Sequence, residues 1–184
     1  MELYEAIKKR RAVREFKSDP INENVIARIM DAAIWAPSAL NSQNWKFYVL
    51  TGEKRDKFAM LLKPVFEQMK DTIRKNYGER DVEIRRKLYT NVGGAPVVIV
   101  CYVEEGAWKS DKVGPSMACM NILLAATAEG LGSLFMGATH YVEDSINEFL
   151  GEKDKILLGA ILIGYPESIP EPRPRREGCV KRFK

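Results

Sequence analysis

Two stretches of this sequence, PVVIVCYV at residues 96–103 and ILLGAILI at residues 156–163, carry no charged side chain at all. A strand with one wet face alternates apolar and polar residues, whereas an unbroken apolar run rich in β-branched residues predicts a strand covered on both faces. Two such strands belong at the centre of a sheet. Covering both faces takes a layer of other elements on each side, so the fold must be layered.

The rest of the chain supplies those layers. Leu3, Ala6 and Ile7 share one face of a short N-terminal helix, and the chain breaks at Ser18-Asp19-Pro20. A second helix is predicted from Asn22, a favoured N-cap, to about Ala36, because the residue before Pro37 avoids the α region. Residues 47–50 read as a strand, 53–62 and 65–77 as helices separated by Pro64, and 142–150 as a helix closed by Gly151. The highly charged stretch 78–91 receives no element. Residues 115–129, PSMACMNILLAATAE, are apolar almost all round and end at Gly130, where a C′ glycine is expected. That helix is expected to be buried on every side, which is easier in a chain of 184 residues if a second copy covers part of it. The class is α+β or α/β, with residues 1–184 forming one domain.

Composition excludes several functions. No apolar run approaches the length of a membrane span and MELYEAIKKRR has no apolar h-region, so the chain is expected in the cytoplasm, without a membrane partner. Cys101, Cys119 and Cys179 are odd in number and widely spaced, which predicts two buried thiols and one in the tail, with neither a disulfide framework nor a zinc site. The net charge of +4 is mild and its basic residues gather at the two ends, which suits an anion better than a nucleic acid.

Three constellations carry chemistry. Arg10, Arg11 and Arg14 crowd three guanidinium groups together; a solvated helix end explains them, and so does a bound phosphate, which the planar fork of arginine suits. Pro37, Ser38, Asn41 and Gln43, between two tryptophans, offer neutral donors and acceptors that suit a heterocycle with alternating carbonyl and NH edges, such as a flavin, although a helix-capping loop uses the same residues. EGLGSLFMGATH, at residues 129–140, is spaced neither as GxGxxG nor as a P-loop. Its Gly132 and Gly137 either bring bare amides against a planar ligand or turn the chain into a strand. The tail adds Arg173, Arg175 and Arg176. His140 is the only histidine, no metal set is present and no GxSxG occurs, so a cofactor is the natural carrier of difficult chemistry.

Taken in order, RRAVREF, APSALNSQNW, the apolar helix leading into AEGLGSLFMG, and GAILIGYPE with a basic tail resemble the flavin-dependent nitroreductase family across almost the whole chain. The resemblance implies an α+β sandwich, with a central, mostly antiparallel sheet flanked by helices, and an interlocked homodimer holding two FMN molecules at its interface. It implies that Arg10, Arg11 and Arg14 hold the FMN phosphate and ribityl chain, with Ala12 where the family commonly has serine. Pro37, Ser38, Ala39 and Asn41 resemble the stretch that packs on the flavin from the other subunit, with Gln43 nearby. Phe135, Met136 and Gly137 resemble the segment along the ring, and Arg175 and Arg176 the tail residues closing on the phosphate. Gln43-Asn44-Trp45 replaces the usual Gln-Pro-Trp, a change expected to loosen the loop while keeping its flanks. The tail finishes in VKRFK rather than an acidic and hydrophobic ending, and residues 67–90, which help roof such active sites, match no substrate class.

The implied activity is a ping-pong transfer from NADH or NADPH through FMN to a nitroaromatic, quinone or similar small-molecule acceptor, without a protein acid or base. The rival readings are FMN chemistry of another kind, such as reductive dehalogenation or a flavin-consuming step; a flavin-binding protein without turnover; and an anion- or nucleic-acid-binding protein.

Overall fold

The computed structural model describes residues 1–104, 111–153 and 155–183. Its four strands, β1 (Trp45–Leu50), β2 (Val97–Val103), β3 (Gly132–Met136) and β4 (Ile156–Gly164), pair antiparallel in the order β1-β2-β4-β3. The two apolar runs are thus the central pair, and all seven residues of β2 are buried. Burying each large aliphatic side chain there contributes roughly 1.5–3 kcal/mol, so a polar substitution in β2 outweighs any surface ion pair.

Side chains alternate across the sheet and sort two cores. Val98, Val100, Tyr102, Ala160, Leu162, Leu134 and Met136 face helices α3 (Gly52–Leu61), α4 (Lys63–Tyr77), α5 (Glu79–Asn91) and α7 (Glu143–Leu150). Val97, Ile99, Cys101, Ile161 and Ile163 face α2 (Glu23–Ile34) and α6 (Val113–Ala128). Helix α1 (Leu3–Lys9) lies against α6. This is the expected sandwich.

Local signals act as read. Asn22 caps α2 by accepting the amide of Asn24 at 2.8 Å. Gly130, at φ +77°, ends α6, and the amide of Leu131 turns back to the carbonyl of Ala126 at 2.8 Å. Cys101 and Cys119 are buried and Cys179 is exposed.

Two expectations change. The charged stretch 78–91 is mostly helix: α5 is laced by Asp81–Arg85 and Glu83–Arg86 pairs, and its Leu88 and Tyr89 reach the core. Helix α6 is not buried on every side of one chain. Its Ala118, Cys119, Ile122 and Ala126 are covered, while Val113, Met117 and Met120 are 61%, 44% and 47% exposed. From Glu167 to Phe183 the tail is exposed and holds no helix or strand, with a turn at Glu177 and Gly178, and Lys184 lies outside the described residues.

Candidate functional site

The arginine segment is fixed to the sheet by backbone contacts. Ala12 bridges Ser133 in parallel, the amide of Val13 donates to the carbonyl of Ser133 at 3.0 Å, and that of Phe16 to Gly93 at 2.8 Å. Gly93 permits this approach: a Cβ there would stand 2.2 Å from the carbonyl oxygen of Arg14, and its φ is +65°. Gly132 serves packing as well, because a Cβ there would meet Val13 Cγ2 at 2.8 Å.

The three arginines diverge from this anchor. Arg11 folds back, its Nη1 donating to the carbonyls of Lys8 at 2.7 Å and Arg10 at 2.9 Å, while its Nε is buried with no partner. Its cleft is shared with Lys9, Thr127 and Gly130 at the C-terminal end of α6. Arg14 instead lies toward α5, its Nη1 donating to the carbonyl of Ala12 at 3.0 Å. Burial first, and then the charge of Arg85, weakens the hold of Arg14 on its proton, with Asp81 opposing. Among the described residues no carboxylate forms a salt bridge with Arg10, Arg11 or Arg14. Of the tail arginines, Arg173 adds its charge to the field at Arg14. Arg175 and Arg176 are exposed, and Arg175 Nη1 donates to the carbonyl of Arg173 at 2.9 Å.

The 37–43 loop is held by side chains. Ser38 Oγ accepts the amide of Gln43 at 2.8 Å. Leu40, Asn41 and Gln43 all take positive φ, at 51°, 55° and 47°, a region that costs a non-glycine residue energy and persists where surroundings enforce it. Asn44 enforces it here. Only 1% exposed, it donates from Nδ2 to the carbonyl of Asp111 at 2.7 Å, and its own carbonyl accepts the amide of Glu104 at 3.0 Å. Asn44 thus ties the end of the loop to Asp111, just before α6, and to Glu104, just after β2. Pro37, Ser38 and Ala39 edge a cleft of about 360 Å³ with Gly114 and Met117, at the N-terminal end of α6. Asn41 and Gln43 line a second cleft with Trp35.

The third segment splits. Phe135 pairs with Ile161 and stands on the α2–α6 side, partly exposed, its ring close over Gly159. Met136 is buried in the opposite core, so only its backbone can meet a ligand, and the position of a Gly137 Cβ is open space. His140 is exposed and touches Glu143 at 3.5 Å. Among the described residues no cluster of metal-ligating side chains occurs.

The arginines and the loop do not meet within one chain. Arg11 and the loop sit at opposite ends of α6, whose sixteen residues span about 24 Å at 1.5 Å each.

Known proteins resemble this chain in sequence and in fold. The nitroreductase NfnB of Mycolicibacterium smegmatis is 25% identical, covering 88% of this chain and 81% of its own. An iodotyrosine deiodinase of Thermotoga neapolitana is 28% identical over 97% of this chain and 96% of its own. The solved structure of the FMN-dependent nitroreductase NfnB from Mycobacterium smegmatis, in complex with NADPH, shares the fold with a TM-score of 0.80 at 21% identity, over 100% of both chains. The sequence model of the nitroreductase family matches residues 7–165, a span holding the arginine segment, the loop and the β3 turn, and the chain belongs to that family.

Proposed function

We propose that residues 1–184 form one FMN-binding domain that works as a homodimer, an NAD(P)H oxidoreductase reducing nitroaromatics, quinones or similar small acceptors. The observation that carries this is the separation of two complementary half-sites along α6. Lys9 and Arg11 line a cationic cleft with no carboxylate in its wall, and the buried Arg11 Nε lacks a partner, which fits the phosphate of FMN, with Arg10 next to it in sequence. Arg14 and the backbone of residues 135–137 would hold the ribityl chain and ring. At the far end, Pro37, Ser38, Ala39, Asn41 and Gln43 present a rigid polar edge.

Antiparallel pairing of two α6 helices about a two-fold axis brings the loop of each copy to the arginines of the other. The same pairing covers Val113, Met117 and Met120, together with exposed Leu3, Tyr4 and Ile7 of α1. When bound, FMN supplies the electron relay between NADH or NADPH and the acceptor. The chain's own residues bind and orient: the arginines neutralise the phosphate, and the loop places amide and hydroxyl groups against the heterocycle. No side chain in these segments is assigned as a proton donor. No described helix is long and apolar enough to cross a membrane, and a cytoplasmic location without a nucleic-acid partner goes with this reading.

A second reading keeps FMN and makes the reaction a reductive dehalogenation. The deiodinase relative, matched along nearly the whole of both chains, favours it. The test is an absorption spectrum of the FMN-loaded protein, taken anaerobically before and after NADPH and then NADH. Bleaching of the blue bands by either nucleotide is expected. Failure to retain flavin sinks both readings, and retained flavin that neither nucleotide reduces sinks the first.

A further inference from the structure

Helix α5 carries a second arginine with an unmet demand. The side chain of Arg85 is only 18% exposed. Its guanidinium stacks 4.7 Å over the ring of Tyr77, its carboxylate contact is Asp81 at a loose 3.5 Å, and its Nε is buried without a partner. Leaving a charged donor unpaired in this way costs more than any neutral hydrogen bond returns. Arg14 lies close enough to feel its charge, and Arg173 of the tail adds to the same positive field, against which Asp81 is the carboxylate that acts on Arg14.

Tyr89, one helical turn beyond Arg85, completes the group. Its hydroxyl has a weak partner, the sulfur of Met69 at 3.8 Å, and it feels Arg85, Arg14 and Tyr141. Burial holds the phenol protonated, so it can donate. The cluster joins three segments: residues 10–14, α5, and the turn that follows Gly137. It differs from the Arg11 cleft, which opens beside the C-terminal end of α6.

We propose that Arg85, flanked by Arg14 and Tyr89, forms an oxyanion subsite beside the arginine segment, which takes a carboxylate or phosphate carried by one of the two substrates. The inference rests on the reading of the protein as a flavin oxidoreductase and narrows it: the preferred acceptor bears a carboxylate, or the preferred donor is the nucleotide with the additional 2′-phosphate. A carboxylate there accepts two guanidinium hydrogen bonds from Arg85 and relieves its repulsion with Arg14.

The test compares 4-nitrobenzoate with its neutral isostere 4-nitrobenzamide, and NADPH with NADH, in the FMN-loaded wild type, Arg85→Gln and Arg85→Lys. Arg86→Gln serves as a control, since Arg86 is exposed on the same helix and bonded to Glu83. In Arg85→Gln the kcat/KM preference for the carboxylate is expected to fall by about tenfold or more, with Arg85→Lys intermediate. Calorimetric titration of 4-nitrobenzoate into the oxidised flavoprotein should show the same weakening. A fall in the NADPH over NADH preference instead, with the acceptor ratio fixed, assigns the subsite to the 2′-phosphate. Neither ratio moving, or Arg86→Gln moving them equally, overturns the subsite while flavin reduction stands. Failure to take up flavin overturns the parent reading, and this one with it, before any nitro compound is added.

Discussion

The two ends of α6 solve the same problem by different means. At the C-terminal end the arginine segment is held by backbone, through the Val13–Ser133 and Phe16–Gly93 hydrogen bonds and close approaches that only glycine allows. At the N-terminal end the loop is held by side chains, Ser38 and Asn44, in a backbone with three residues at positive φ. A backbone anchor tolerates change in neighbouring side chains but not in its glycines. A side-chain anchor is the reverse, and each end should fail on its own.

The sharpest way to break this contrast is Gly93→Ala, which pushes a Cβ into the carbonyl of Arg14 from a left-handed backbone. It should cost roughly 2–4 kcal/mol of stability, read by chemical denaturation. Hydrogen exchange should quicken at the amides of Val13 and Phe16 and stay slow at Gln43. Arg11→Ala removes a charge without touching the anchor: FMN affinity should drop by about 1.5–3 kcal/mol by fluorescence titration, at nearly unchanged stability. Asn44→Ala leaves the carbonyl of Asp111 without its donor and should cost about 1–3 kcal/mol, with the exchange pattern reversed and Gln43 opening first. If both variants loosen both ends, the two anchors are one unit and the contrast fails.

The smallest effect concerns the strand ends. The carboxylate of Glu152, nearly buried between Lys46 at 2.7 Å and Lys155 at 2.9 Å, is held below the ordinary range, chiefly by its hydrogen bond to Lys46. A depressed folded pKa adds stability above the unfolded value of ~4.3, and that stability is lost as pH falls through the folded value. Glu152→Gln should therefore be less stable than wild type near neutral pH, with the difference closing in acid. A difference that persists in acid would remove the ion pair as its cause.

Where one residue's neighbours in sequence decide its role, the sequence was readable. The continuous apolar runs gave the central strands, Asn22 its cap and Gly130 its turn. Helix α5 was not legible because few of its positions reach the core and ion pairs carry much of its surface, so it lacks an apolar stripe. The role of Asn44 was hidden for a different reason: its partner, Asp111, is 67 residues away. Arg10, Arg11 and Arg14 read as one cluster, but a three-residue step on an extended segment sends Arg11 toward α6 and Arg14 toward α5. The open face of α6 was half legible, since the apolar composition implied a cover and the single chain shows which residues it leaves exposed.

Half-sites at opposite ends of one helix also have a genetic signature. A chain with Arg11→Ala still carries a sound loop, and a chain with a damaged 37–43 loop still carries sound arginines. If the half-sites pair across a homodimer as proposed, each is impaired by itself at FMN concentrations that fill only intact sites, because every site in its own dimer has one weakened half. Mixed after dissociation and allowed to reassociate at random, the two defective chains should restore about one quarter of the sites, each assembled from the intact half of either parent.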